Sequence, residues 1–178
     1  MTDVMSHETV SATETGAHST SRQNSEKGFV ASDKLIASLQ KVLVDLIELS
    51  LQGKQAHWNV VGANFRDLHL QLDEIVEEAR EHSDVIAERL RALHATADGR
   101  STTVAATTSL PAYPEGEIDT HKTVALVTER IDDVVATVRE VHDSVDEEDP
   151  TTADLLHTII DELEKLSWMT SAEIRSAK

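Results

Sequence analysis

The chain has 178 residues, no cysteine and only 3% aromatics, with 33 acidic against 16 basic residues and a formal net charge of −17. That length suffices for one domain with a full core, and the absence of cysteine excludes disulfides, thiolate zinc sites and iron–sulfur clusters. The charge disfavours contact with phosphate backbones, and no apolar run reaches the roughly 18–20 residues that cross a bilayer. Residues 1–27 are rich in Ser, Thr, Glu and His and poor in large apolar residues, so a disordered tail is expected over 1–30. The opening MTDVMSHETVSATETGAHSTS lacks the basic start and apolar stretch of a signal peptide, which leads to the expectation of a cytoplasmic protein.

From Asp33 to about Val60, Leu35, Leu39, Val42, Leu43, Leu46 and Leu49 keep helical spacing. Gly62-Ala63-Asn64 breaks the pattern, and Asn64 is expected to cap a second helix from about Phe65 to Leu93. A long connection over roughly 98–118 carries Pro111 and Pro114, with room for one short helix from Ser101. A third helix is expected from about Asp119 to Val145, although its many valines lower helix propensity. Asp149 reads as a cap and Pro150 as the first residue of a fourth helix reaching about Ile174. The expected fold is thus all-α: a four-helix bundle over 31–175, a short end over 176–178, and one long crossover between helices two and three. That is the ferritin-like connectivity.

His69 and Asp73 lie one turn apart on the second helix, as do Asp84 and Glu88 farther along it. The eleven residues from Asp73 to Asp84 turn the helix by only about 20° net, so both pairs share one face. Along the axis, however, they are roughly 16 Å apart, too far for one metal. An antiparallel copy of the same helix, crossing near Ala79, would bring one subunit's Asp84 and Glu88 beside another's His69 and Asp73. The spacing therefore predicts a site shared across a two-fold dimer, with imidazole and carboxylate donors that suit Fe(II), Zn(II) and Mn(II) alike.

The segments KQAHWNVVG (Lys54–Gly62), NFRDLHLQLDE (Asn64–Glu74) and DVIAER (Asp84–Arg89) together resemble the Dps family, the mini-ferritins, over about residues 33–175. No Glu-x-x-His occurs, which separates the chain from larger ferritins. The resemblance implies a hollow dodecameric shell and a ferroxidase with iron sites at two-fold interfaces. In it His57, His69 and Asp73 come from one subunit and Asp84 and Glu88 from its neighbour. It also implies a role for Trp58 in carrying or quenching oxidising equivalents, against the plainer reading of core packing. Arg89 reads as an ion-pairing residue.

The same resemblance places the start of the fourth helix at three-fold pores. There Asp146, Asp149 and Asp154, with His157 beside them, would draw in Fe²⁺. It implies oxidation of Fe²⁺, preferentially by hydrogen peroxide, and storage of an Fe³⁺ mineral in the cavity. Acids such as Glu78 and Glu162 read either as seeds for that mineral or as ordinary solvated helix faces. The alternative is a nucleoid-associated DNA-compacting protein. Charge disfavours it: residues 1–27 offer only Arg22 and Lys27 against Asp3, Glu8, Glu14 and Glu26.

Overall fold

A computed structural model of the chain describes residues 28–177. Most of the expected tail, residues 1–27, lies outside the described residues. Residues 31–178 form a compact unit. Its elements are α1 (Asp33–Asn59), β1 (Val60–Val61), α2 (Phe65–Ala92), α3 (Ser101–Thr107), β2 (Ile118–Asp119), α4 (Thr120–Glu148) and α5 (Pro150–Ala172). The four long helices form the expected bundle, and the short helix sits in the crossover. α1 packs chiefly on α2 and α4, while α5 packs on α4 and more lightly on α2.

The apolar residues read from the sequence do face inward: Leu35, Leu39, Leu46, Leu72, Ile75, Ile86, Ile131, Leu156 and Leu163 are all buried in one core. The valine-rich α4 is the longest helix, at 29 residues. Val124, Val127, Val134, Val138 and Val145 lie inside, so apolar burial outweighs their modest propensity cost. At Gly53, α1 and α2 run so close that a Cβ would meet Val76 Cγ2 at 2.8 Å.

Local chemistry sets the helix ends. The Ser32 hydroxyl caps α1 by accepting the Leu35 N–H at 3.1 Å, and the Asp119 carboxylate caps α4 through Lys122 N–H at 3.0 Å. Pro150 opens α5 as expected. Asn64 departs from expectation. It adopts a left-handed conformation (φ 58°) and its side chain makes no capping bond. Asn tolerates that conformation, and the tight return from Gly62 (φ 122°) demands it.

No local pattern announces β1 and β2, which pair in parallel with Val60 opposite Ile118 and Val61 opposite Asp119. This two-residue ladder ties the end of α1 to the start of α4. A series of polar contacts then pins the crossover along α1. Gln40 exchanges hydrogen bonds with the Asp98 backbone at 2.8 and 3.0 Å. Asp45, with no exposed surface, accepts from Thr108 and Thr137 hydroxyls and from both the N–H and hydroxyl of Ser109. Gln52 and Arg130 both donate to the Pro111 carbonyl. A buried carboxylate survives because every bond it needs is supplied. Among the described residues, no helix is long and apolar enough to cross a membrane.

Candidate metal centre

His57 occupies the last turn of α1 and His69 an early turn of α2, so the α1–α2 hairpin brings them face to face. Their rings stack with centroids 3.6 Å apart at 24°. Each Nδ1 donates to the other residue's backbone carbonyl: His57 to His69 O at 2.9 Å, and His69 to His57 O at 3.0 Å. A carbonyl can only accept, so both Nδ1 atoms carry a proton, and Nε2 is the ring atom each histidine has left to offer a metal.

Asp73, one turn beyond His69, lies 3.3 Å from His57 Nδ1 and is hydrogen-bonded by Lys54. The Lys54 ammonium holds the Asp73 carboxyl below its ordinary range, against a smaller opposing effect of burial and with help from the two imidazoles. Asp73 is therefore ionised at neutral pH. Sequence reasoning missed Lys54, although it sits three residues before His57 and so on the same face of α1.

The structure brings His57, His69 and Asp73 together in one subunit. It leaves Asp84 and Glu88 exposed farther along α2. Lys54, Asp73, Glu77, Arg80, Glu81 and Asp84 line one shallow depression of about 690 Å³ on the outer face of this helix. Ala79, the level at which an antiparallel copy is expected to cross, is fully buried in its own subunit's core. The outward surface there belongs to Glu77, Arg80 and Glu81. Around the histidines, Trp58, Val61, Phe65 and Leu70 are exposed, Trp58 by 70%, so the core-packing reading of Trp58 fails within the subunit.

The acids near the start of α5 do not share one environment. Asp146 and Asp154 are exposed. Asp149 is 8% exposed; its carboxylate accepts the Arg89 guanidinium at 2.5 Å and also takes the Thr152 hydroxyl. Burial alone would raise its pKa. The hydroxyl and guanidinium outweigh that and hold it below the ordinary carboxylate value. Asp149 thus departs from the expected pore position: it anchors α5 to α2 inside the subunit, and Arg89 is the ion-pairing residue expected. His157 packs against His142 with centroids 4.4 Å apart and the rings tilted by 36°, its Nδ1 3.8 Å from Asp154.

A family model described as a Ferritin-like domain matches residues 36–178. The chain is 36% identical over 146 residues to the "DNA protection during starvation protein" of Agrobacterium fabrum, covering 82% of this chain and 90% of that protein. It is 34% identical over 143 residues to "DNA protection during starvation protein 2" of Deinococcus radiodurans, covering 80% of this chain but only 59% of that longer relative. Among solved structures, Dps from Microbacterium arborescens in its high iron form is 32% identical with a TM-score of 0.76, covering 83% of this chain and 99% of that one. Bundle, crossover and sequence agree over the same stretch, and the chain belongs to the Dps family of ferritin-like proteins.

Proposed function

We propose that this protein is a peroxide-using ferroxidase and iron store whose site is completed only between two subunits. The observation that carries this reading is the stacked pair of imidazoles, each held through its Nδ1, with the ionised Asp73 at 3.3 Å from His57. Three donors leave a cation half enclosed. Asp84 and Glu88 lie on the same helix at the spacing that a two-fold mate would need to supply the rest. Such donors accept several divalent cations, and family membership selects iron. The exposed Trp58, Val61, Phe65 and Leu70 around the site support its burial between subunits of a dodecamer.

In this reading Fe²⁺ is the substrate. Two Fe²⁺ each give one electron to hydrogen peroxide, whose O–O bond breaks to yield water-level oxygen, and the Fe³⁺ products hydrolyse to oxide with release of protons. No one-electron reduction leaves a hydroxyl radical. The protein's part is to hold the donors and the charge around the iron. Stopped-flow oxidation of Fe²⁺ should consume one peroxide per two Fe²⁺ and should run faster than with dioxygen at equal concentration. One peroxide per single Fe²⁺, with spin-trapped hydroxyl radical, would overturn the proposal.

Access for Fe²⁺ falls to Asp154 and Asp146, whose carboxylates are exposed where three copies would meet, with Asp149 holding the helix start beneath them. Replacing Asp146 and Asp154 together by Asn should slow iron uptake several-fold at low salt and flatten its salt dependence, with the assembly intact by light scattering. Unchanged uptake at low salt would place the pore elsewhere.

Protection of DNA, the property that names the relatives, follows here from removing peroxide and Fe²⁺ together in the cytoplasm. A chain at −17 with so few basic residues in 1–27 has little with which to grip phosphates. The full protein should leave DNA unshifted in gels at physiological salt, and deletion of residues 1–27 should leave iron oxidation unchanged. Tight, salt-sensitive binding that vanishes with the tail would favour the nucleoid reading.

A further inference from the structure

A second set of donors lies within one subunit, away from the paired histidines. Glu78 and His82 stand one turn apart on α2, and Glu162 reaches them from α5. One ligand atom from each lies within 4.8 Å of the others. His82 is 4% exposed, and its buried Nε2 makes no hydrogen bond. Yet Nε2 is 2.9 Å from Glu162 Oε2 and 3.7 Å from Glu78 Oε2. At 2.9 Å only misdirection denies a hydrogen bond: the carboxylate lies off the line along which a ring N–H points.

That combination is poor design for an ion pair and good design for a cation. A buried nitrogen without a partner is destabilising, and two carboxylates facing it repel each other. An ion on the imidazole lone-pair axis removes both penalties, with the carboxylates placed around that axis rather than on it. Ligands about 2.1 Å from a common ion stand roughly 3.0 Å apart at right angles and roughly 3.6 Å apart at 120°. The observed 2.9 and 3.7 Å match those separations.

We propose that Glu78, His82 and Glu162 form a second binding site for a first-row divalent cation, complete within a single subunit. The imidazole favours such a cation over Mg²⁺ or Ca²⁺. A depression of about 300 Å³, lined by Glu74, Glu77, Glu78, Glu162, Lys165 and Met169, opens beside it and gives the ion a carboxylate-rich approach. This site differs from a mineral-seeding patch of exposed acids because a buried imidazole fixes one ion at one place.

Co²⁺ added to the full-length protein provides the test, since its visible absorption reports nitrogen and oxygen coordination. The shared site is first disabled by His69→Ala with Asp73→Ala. This background should still bind one Co²⁺ per subunit and gain thermal stability from it. Adding Glu162→Gln, a change at a partly exposed side chain, should weaken Co²⁺ binding by about tenfold or more. His82→Leu should abolish the absorption and the metal-dependent gain in Tm while leaving the metal-free Tm equal or higher. A background that binds no Co²⁺, or one whose binding ignores both added substitutions, would overturn the site without bearing on iron oxidation at the subunit interface.

Discussion

Co-expression of two inactive chains should restore iron oxidation. One chain carries His69→Ala with Asp73→Ala, and the other Asp84→Ala with Glu88→Ala. Each alone should lose most of its oxidation rate, because every interface lacks one half of the donors. A two-fold interface between unlike chains carries one site built from both damaged halves and one built from both intact halves. Random mixing in equal parts therefore leaves about a quarter of the sites whole, and the hybrid should recover about that fraction of the native rate. Hybrids no better than either parent would mean that Asp84 and Glu88 do not complete the site that His69 and Asp73 begin.

The second large effect concerns stability and its dependence on pH. Asp149→Asn keeps the side-chain size but removes the charge that faces Arg89 and Thr152. Both members of the pair are largely shielded, with side-chain exposures of 11% and 21%. The loss should be about 3 kcal/mol, or a fall in Tm of about 6–12 °C at neutral pH. The folded-state pKa of Asp149 lies below its unfolded value, so its contribution is complete above the ordinary carboxylate range near about 4 and fades as pH falls through the folded value. The native protein and the Asp149→Asn variant should therefore converge in Tm under acid. A gap that widens on acidification would show that the pair does not act through the ionised carboxylate. Because Arg89 follows Glu88 on the last turns of α2, the substitution should also slow iron oxidation through a looser Glu88.

The long helices were legible because burial imposes its own period on the chain: Leu, Ile and Val recur wherever α1, α2, α4 and α5 face the core. Their ends agreed to within a few residues. What could not be read has its partner far away in sequence. The β1–β2 ladder joins Val60 to Ile118, and Asp45 finds its donors at Thr108, Ser109 and Thr137. Nothing local in Val60 or Asp45 points to either pairing. The same holds for Asp149, which sits at a helix start as expected yet directs its charge to Arg89, sixty residues earlier. At the candidate metal centre the placement of His69, Asp73, Asp84 and Glu88 on one helix was legible because local periodicity alone sets it. Glu162 was invisible as a partner of His82 because it arrives on α5.

The hydrogen bonds that link His57 and His69 have a consequence beyond fixing a tautomer. Each ring hangs from the main chain of the opposite helix, so rotamer freedom does not set the gap between their Nε2 atoms. The separation of two backbones sets it, and at Gly53 the Val76 side chain of α2 packs into the space where a Cβ would stand on α1. The hairpin is a caliper whose jaws are the imidazoles. A methyl group added at Gly53 must displace the Val76 side chain or part the two helices, and parting them would change the gap between the imidazoles of the proposed centre without touching a ligand. Metal preference at the proposed centre would then be set partly in the interior, and would drift through substitutions that no inspection of the ligands would single out.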